Sequence, residues 1–254
     1  MVSRVGQQVA VFGGDAIGRE FTAAEERAAL LRGDVIIAVQ QREAELFRAL
    51  APERRVIVLG YAPPHIVAAP AEPVEQARVL IVGGEHEMNR RGLTLFYQRV
   101  WPQILAAIPD AVLAVVGEVG RFLPQGLPRV QVLGVVERLD LEYARATVVV
   151  NPVDLGTGLK IKTVEALCFG KALVSTPVGV EGLARDEEPP CVVAADWDAF
   201  AAAVIALLRD AAQRRQLEAR AVAFAHRHFS ENAVFAELDN CLTDHFRRFA
   251  PPVV

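Results

Sequence analysis

Cysteine is scarce and unpatterned in this sequence, which has three: Cys168, Cys191 and Cys241. An odd number, widely spaced and each set among apolar neighbours, argues against a disulfide framework and a cysteine-built metal site. They read as small core residues in a reducing compartment. Positive charge is not in excess either. The formal net charge is -4 and no long run of Lys or Arg occurs, so the electrostatic footprint of a nucleic-acid binder is missing. No stretch reaches the ~18 uninterrupted apolar residues of a membrane span. The opening MVSRVGQQVAVFGGD lacks the layout of a signal peptide. The expected compartment is the cytoplasm, with the inner face of a membrane as a peripheral alternative. Internal repeats and low-complexity segments are also lacking, which excludes a solenoid.

What is present is apolar surface in short blocks. The 254 residues are 52% hydrophobic and 23% charged, enough for a packed core and on the border between one large domain and two ordinary ones. Runs rich in β-branched residues recur with helical stretches between them: VAVF at 9–12, VIIAV at 35–39, VIVL at 56–59, VLIV at 79–82, VLAVV at 112–116, VQVL at 130–133, TVVV at 147–150, ALVST at 172–176 and CVV at 191–193. Near-continuous apolar strands are buried on both faces, the mark of parallel sheets covered by helices. The alternation of strand and helix implies a doubly wound α/β fold with ligand sites at the C-terminal ends of its strands.

The prolines divide the chain. Residues 61–77 read as a linker, since four prolines there forbid a regular element. Residues 1–60 hold two or three strands and helices over 23–31 and 41–50, too little for an independent doubly wound domain. Residues 78–230 suffice for a complete six-stranded unit, and 231–254 form a last helix and tail. Asp196 and Ser230 stand where helix N-caps are expected.

Chemistry concentrates in NPVDLGTGLKIKTVEALCFGKALVSTPVGVEGL, residues 151–183. A strand ends at Val150, a Pro/Gly loop follows, and the spacing of Ile161, Val164 and Cys168 predicts a helix from Leu159, with Gly170 at its C′ position. The loop thus delivers a helix N-terminus to the end of a buried strand. Free amides and the positive end of the helix dipole make an anion site there, and Gly156 and Gly158 let a phosphate approach the backbone. Lys160 and Lys162 add charge, and Gly158, Lys162 and Glu165 share one helix face. Taken singly, Lys162 and Glu165 read as a solvated ion pair, and the two glycines as an ordinary turn.

Taken together, Pro152, Gly156-Thr157-Gly158, Lys162, Glu165-Ala166, Gly170-Lys171, the strand 173–175, Thr176 and Gly179-Val180-Glu181-Gly182 resemble the donor-binding helix of the group-one (family 4-like) glycosyltransferases. The likeness extends upstream through VLIVGG, Asn89, Phe96, Val100-Trp101-Pro102, Pro109-Asp110, VLAVVGE, VQVLGVVERL and Tyr143, and covers nearly all of 78–230. More weakly, GDVIIAVQQREAELFRAL with RRVIVLG is similar to the last elements of that family's N-terminal domain. The resemblance implies an α/β fold of GT-B type: one complete Rossmann-like, doubly wound parallel-sheet domain preceded by a partial, acceptor-side N-terminal α/β segment. Most of the first domain is then absent.

What the resemblance implies for function is transfer of a sugar from a nucleotide diphosphate sugar to a glycan or glycolipid acceptor, with retention, no metal and no cofactor beyond the donor substrate. Glu165 then binds the ribose, and the amides of Gly158, Leu159 and Lys160 meet the diphosphate with support from Lys162. The backbone around Val135 and Val136 lines the base. Gly83 ends the first strand, and Arg90 or Arg91 in the following loop is the candidate cation for the leaving diphosphate, with solvation the reading for at least one of them. Many members carry Glu-x7-Glu; Thr157 stands at the first Glu, as in a branch with Gly-Thr-Gly-Leu-Lys at this loop. A hydroxyl hydrogen-bonds sugar without supplying negative charge. Asp154 reads as a turn residue, the histidines as structural or exposed, and Trp101 and Trp197 as packing aromatics. No general base is assigned, because the groups that activate the acceptor are expected in the N-terminal region. The enzyme reading has that half supplied by another chain, or this chain as the remainder of a longer gene product; it calls for an exposed apolar surface where the half packs, and so for association with that half or as a homo-oligomer. The alternatives are a non-catalytic nucleotide-sugar binding module or inactive remnant, and a sugar-nucleotide epimerase of the same fold.

Overall fold

The structure is a computed structural model and describes residues 21–64, 66, 77–183 and 187–249. The expected strand at 9–12 and most of the proline-rich 61–77 stretch lie outside the described residues. The chain divides into two compact units, residues 1–62 with 227–254, and residues 63–226.

In the smaller unit, α1 (Ala23–Leu30), β1 (Val35–Ala38), α2 (Gln41–Leu50) and β2 (Arg55–Val58) are followed, far along the chain, by α9 (Glu231–Phe249). Thr22 and Glu25 close α1 with a capping box, each satisfying a backbone amide of the other. β1 and β2 pair in parallel. Ile36, Ala38 and Val56 bury one face of the pair with Ala44 and Ala51. α9 is tied to β2 by the amide of Val58 donating to Glu237 at 2.7 Å and by Arg55 pairing with Asp244 at 3.2 Å. β1 departs from the expectation of burial on both faces: Val35 and Ile37 are 38% and 50% exposed. Only the face toward the helices is covered.

The larger unit holds β3 (Arg78–Val82), α3 (Glu87–Leu95), α4 (Trp101–Ala107), β4 (Val112–Val116), β5 (Val130–Gly134), α5 (Leu139–Arg145), β6 (Val148–Asn151), α6 (Ile161–Cys168), β7 (Leu173–Ser175), β8 (Val192–Val193) and α7 (Trp197–Arg209). α8 (Ala211–Phe229) follows and belongs to this unit up to His226. Its six strands are all parallel and run in the order β5-β4-β3-β6-β7-β8. Strand order reverses between β3 and β6, so their C-terminal ends open on the crevice where doubly wound sheets bind ligands.

Strand periodicity fills both sides of this sheet. Val79, Ile81, Leu113, Val115, Val148, Val150 and Val174 face a core of Phe96, Trp101, Ile104, Phe200 and Val204, while the alternate residues Leu80, Ala114, Val149 and Leu173 are equally buried. β5 is the exception to the two-faced expectation. It lies at the sheet edge, and Val132 and Leu133 are exposed. Between α3 and α4 the helix widens into a π turn, Phe96–Val100, in which the Trp101 amide reaches back to the Phe96 carbonyl. Pro102, which has no amide to donate, follows at once, so the looser turn absorbs what would break a regular helix. Asp196 and Ser230 cap their helices as their positions imply, accepting from the amides of Ala199 (2.7 Å) and Ala233 (3.3 Å). Among the described residues no helix is long and apolar enough to cross a membrane.

Candidate functional site

At the end of β3 the chain turns through Gly83 and Gly84 into α3. Backbone crowding dictates the residue types. Gly83 donates its amide to Val116 at 3.0 Å and accepts from Val119 at 3.1 Å. Gly117, at φ 92°, lies so close that a Cβ on it would stand 2.3 Å from the Gly83 carbonyl oxygen. His86 occupies the N-cap position of α3 and Asn89 follows in its first turn, donating its side-chain N–H to the Gly84 carbonyl at 3.0 Å.

On the other side of the switch, β6 ends in a buried polar knot. Asn151 donates to the Thr163 hydroxyl (2.8 Å) and to the Gly179 carbonyl (3.3 Å), and the Thr163 hydroxyl donates in turn to that carbonyl (2.6 Å). Thr176 donates to the Val153 carbonyl and accepts from the Gly179 amide at 3.0 Å. These bonds fasten the loop after β6, the start of α6 and the turn after β7 into one support, and satisfied buried networks of this kind are rigid.

The loop itself rises through Gly156 (φ 102°) and Gly158 (φ 87°), conformations natural to glycine. α6 begins at Ile161, two residues later than its sequence periodicity predicts. The left-handed Gly158 and the extended Lys160 (φ -91°, ψ 97°) hold 158–160 out of the helix. Its first backbone hydrogen bond is Thr163 to Lys160, at 2.9 Å, so the amides of Ile161 and Lys162 precede it and belong to the open end of the helix dipole. Gly170 ends α6 at φ 59°, with its own amide on Leu167 and that of Lys171 on Ala166, both at 3.0 Å. That is the pair of bonds of a glycine C′ stop.

Lys162 does not lie along the helix toward solvent. Its ammonium crosses the switch to donate to the side-chain oxygen of Asn89. Burial, with Lys160 nearby, pulls its pKa down to about 8, against the opposing pull of Glu165. Lys160 itself donates to the Gly158 carbonyl at 2.9 Å. Glu165, half-buried, accepts from the hydroxyl of Tyr143 at 3.4 Å. Tyr143 is fully buried and stacks on Phe169 with centroids 4.5 Å apart.

After β3 the two arginines have different partners. Arg91 is held by Asp154 through three contacts of 2.9 to 3.1 Å. Asp154 is therefore an anchor of the Gly-rich loop rather than a simple turn residue, and Arg91 is already committed. Arg90 pairs with Glu87 and lies over the Phe122 ring, 5.5 Å from its centroid. Gly83, Gly156, Gly158 and Lys162 are gathered at the switch, whereas Val136 follows Gly134 (φ 66°) at the end of β5, with its neighbour Val135 exposed. Leu159 is half-buried in the loop between.

Thr157 has a buried hydroxyl without a hydrogen-bond partner. An unmatched buried hydroxyl costs ~1–3 kcal/mol. Thr157→Val, of similar shape, is therefore expected to leave the unliganded chain equally stable or up to about 1 kcal/mol more stable in urea titration. A clear loss of stability instead would mean that the hydroxyl is already satisfied within the fold.

The sequence does contain one Asp-x-Asp spacing, Asp196-Trp197-Asp198, and both carboxylates have structural partners. Asp196 caps α7, and Asp198 accepts from Gln103 at 2.9 Å. Among the described residues no group of three His, Cys, Asp or Glu is placed to hold a metal. Burial raises the thiols of Cys168 and Cys191 to about 12, so both stay protonated.

Residues 76–210 match the family model described as "Glycosyl transferases group 1". Among curated proteins, an "Uncharacterized 44.6 kDa protein in cps region" of Klebsiella pneumoniae is 23% identical over 177 residues, 65% of this chain and 46% of that protein. The chain thus spans about half the length of the curated relative it matches. Among solved structures it is similar to sucrose-phosphate synthase from Thermosynechococcus elongatus, with TM-score 0.66, 21% identity, and 97% of this chain and 67% of that one covered. It is similar also to S. aureus TarM in complex with UDP (TM-score 0.69, 11% identity, 87% and 46% covered) and to Anabaena HepE in complex with UDP (0.68, 15%, 88% and 68%). At such identities the likeness establishes the fold.

Proposed function

The chain belongs to the group 1 glycosyltransferases, of GT-B fold, and on that premise we propose that its larger unit grips the nucleoside diphosphate of a sugar donor and serves transfer of that sugar to a glycan or glycolipid acceptor. The observation that carries this reading is the joint placement on α6 of an open N-terminus, a lysine bridged to a neutral amide, and a carboxylate. Ile161 and Lys162 offer amides, Lys162 offers an ammonium, and Glu165 lies four residues along the helix from Ile161, about 6 Å at the helical rise. That separation matches the step from a diphosphate to the hydroxyls of its ribose, which the Glu165 carboxylate accepts.

In the reaction the bond from the sugar's anomeric carbon to the diphosphate oxygen breaks, and a bond to an acceptor oxygen forms as that hydroxyl passes its proton to the departing diphosphate. Negative charge gathers on the leaving diphosphate, where fixed amides and Lys162 stabilise it, a role that requires no divalent cation. Retention of the anomeric configuration is the stereochemical outcome we assign. TarM and HepE, two of the similar structures, were solved in complex with UDP, which supports a nucleotide as the ligand.

Thermal unfolding against UDP, GDP, ADP, TDP and their sugar conjugates tests this. A ligand at ~100 times its dissociation constant adds about 2.7 kcal/mol to stability. One base is expected to raise the melting temperature. Glu165→Ala, which removes the ribose acceptor, should weaken that nucleotide's binding at least about tenfold. Stabilisation by none of the panel would overturn the reading, and binding of donor without transfer to any acceptor would leave a binding module.

A further inference from the structure

Helix α3 and the loop leading into α6 meet across the switch point through two side-chain bridges of different kind. Arg91 and Asp154 form one, an ion pair in which each charge neutralises the other. Asn89, two residues earlier, forms the second. Its N–H group is occupied by the Gly84 carbonyl at 3.0 Å, which orients the amide, and its oxygen then faces α6 and accepts the ammonium of Lys162.

We propose that Asn89 is the positioning residue for Lys162, an uncharged acceptor that fixes the ammonium at the mouth of α6 and leaves its positive charge available to the donor's diphosphate. The inference rests on reading 151–168 as the donor site. A lysine on the first turn of a helix has four rotatable carbons and would otherwise sweep through solvent. A carboxylate at position 89 would hold it equally well, but would cancel the field that the diphosphate is to feel. The adjoining bridge shows the contrast: the charge of Arg91 is offset by the carboxylate of Asp154 that holds it. The charged groups that act on Lys162 are Lys160 before it, which repels, and Glu165 one turn on, which attracts. From α3 it meets the neutral amide of Asn89, while Glu87 and Arg90 pair with one another.

A purely structural role, tying the Gly84 loop to α3, makes a different prediction about conservative replacement. If shape alone matters, Asn89→Ala weakens nucleotide binding and Asn89→Asp restores it. If Asn89 acts as a neutral acceptor, Asn89→Asp keeps an oxygen toward Lys162 and still fails. Two readouts separate these. In protein labelled with carbon-13 at the lysine ε position, the nuclear resonance of Lys162 is expected to titrate with a midpoint near 8 in the wild type and about one unit higher in Asn89→Asp. By calorimetry near neutral pH, UDP, GDP and ADP are compared, and the diphosphate that binds the wild type should bind Asn89→Asp about tenfold more weakly.

An unmoved Lys162 midpoint together with wild-type affinity in Asn89→Asp would overturn the proposal. A raised midpoint in a chain whose wild type binds none of the three nucleotides would leave the Asn89–Lys162 contact standing and remove the donor-site reading beneath it.

Discussion

Gly117→Ala is expected to cost the chain about 4 kcal/mol of stability, the sum of left-handed backbone strain and of overpacking against fixed atoms. The strain follows from φ 92°, and the overpacking from a Cβ placed 2.3 Å from the Gly83 carbonyl oxygen. That oxygen cannot withdraw as the end of a flexible side chain would. It belongs to the backbone at the end of β3, whose amide is bonded to Val116 and whose carbonyl accepts from Val119. Relief therefore means moving the Gly83-Gly84 turn, and with it Asn89 and the bridge to Lys162. Urea unfolding of the purified variant reads the stability loss, and nucleotide binding reads the displaced turn. Gly84→Ala is the control. Nothing lies within 4 Å of a Cβ there, so a change within about 0.5 kcal/mol is expected. A Gly117→Ala chain as stable as the control would show that the two turns are not packed as described.

The contrast between these neighbouring glycines marks where sequence reading stops. Apolar blocks bounded by turn residues locate the six strands of the larger sheet to within a residue or two, because burial on two faces leaves a continuous β-branched run. β5 carries the same run and is exposed, since an edge position is a property of strand order rather than of composition. The helix caps at Asp196, Ser230 and Gly170 are equally legible, each resting on a bond within a few residues. The donor loop is recognisable from its residue types, but what those residues do is decided by partners far along the chain. Lys162 reaches Asn89 from 73 residues away, Arg91 reaches Asp154 from 63, and Tyr143 meets Glu165 from 22. Nothing local distinguishes Arg90, lying over Phe122, from Arg91 in its ion pair. The start of α6 was displaced for a local reason, the left-handed Gly158, which periodicity does not register.

Lys162 supplies the second large effect, and its sign differs between stability and binding. In the unliganded chain burial holds its pKa near 8, below the ordinary 10.5. Between those values the unfolded chain carries a proton that the folded chain has lost, so raising the pH through this window stabilises the fold as far as this group is concerned. Below it both states are charged and the full burial penalty applies. Binding runs the other way. A diphosphate beside the ammonium favours its charged form, so above pH 8 the nucleotide must bind together with a proton. Affinity is then expected to fall about tenfold per pH unit above the midpoint, until the raised pKa of the complex is reached. Calorimetry in buffers of different ionisation enthalpy should show no proton uptake at neutral pH and close to one proton per nucleotide well above pH 8. Lys162→Met removes that uptake and should weaken diphosphate binding about a hundredfold at neutral pH, the loss of a charge-assisted bond to the ligand. The same change replaces a buried ammonium with an apolar chain of similar length, so the unliganded protein should become no less stable. A variant that binds poorly and folds well separates this lysine from a structural one, whereas equal loss of both would place it in the scaffold.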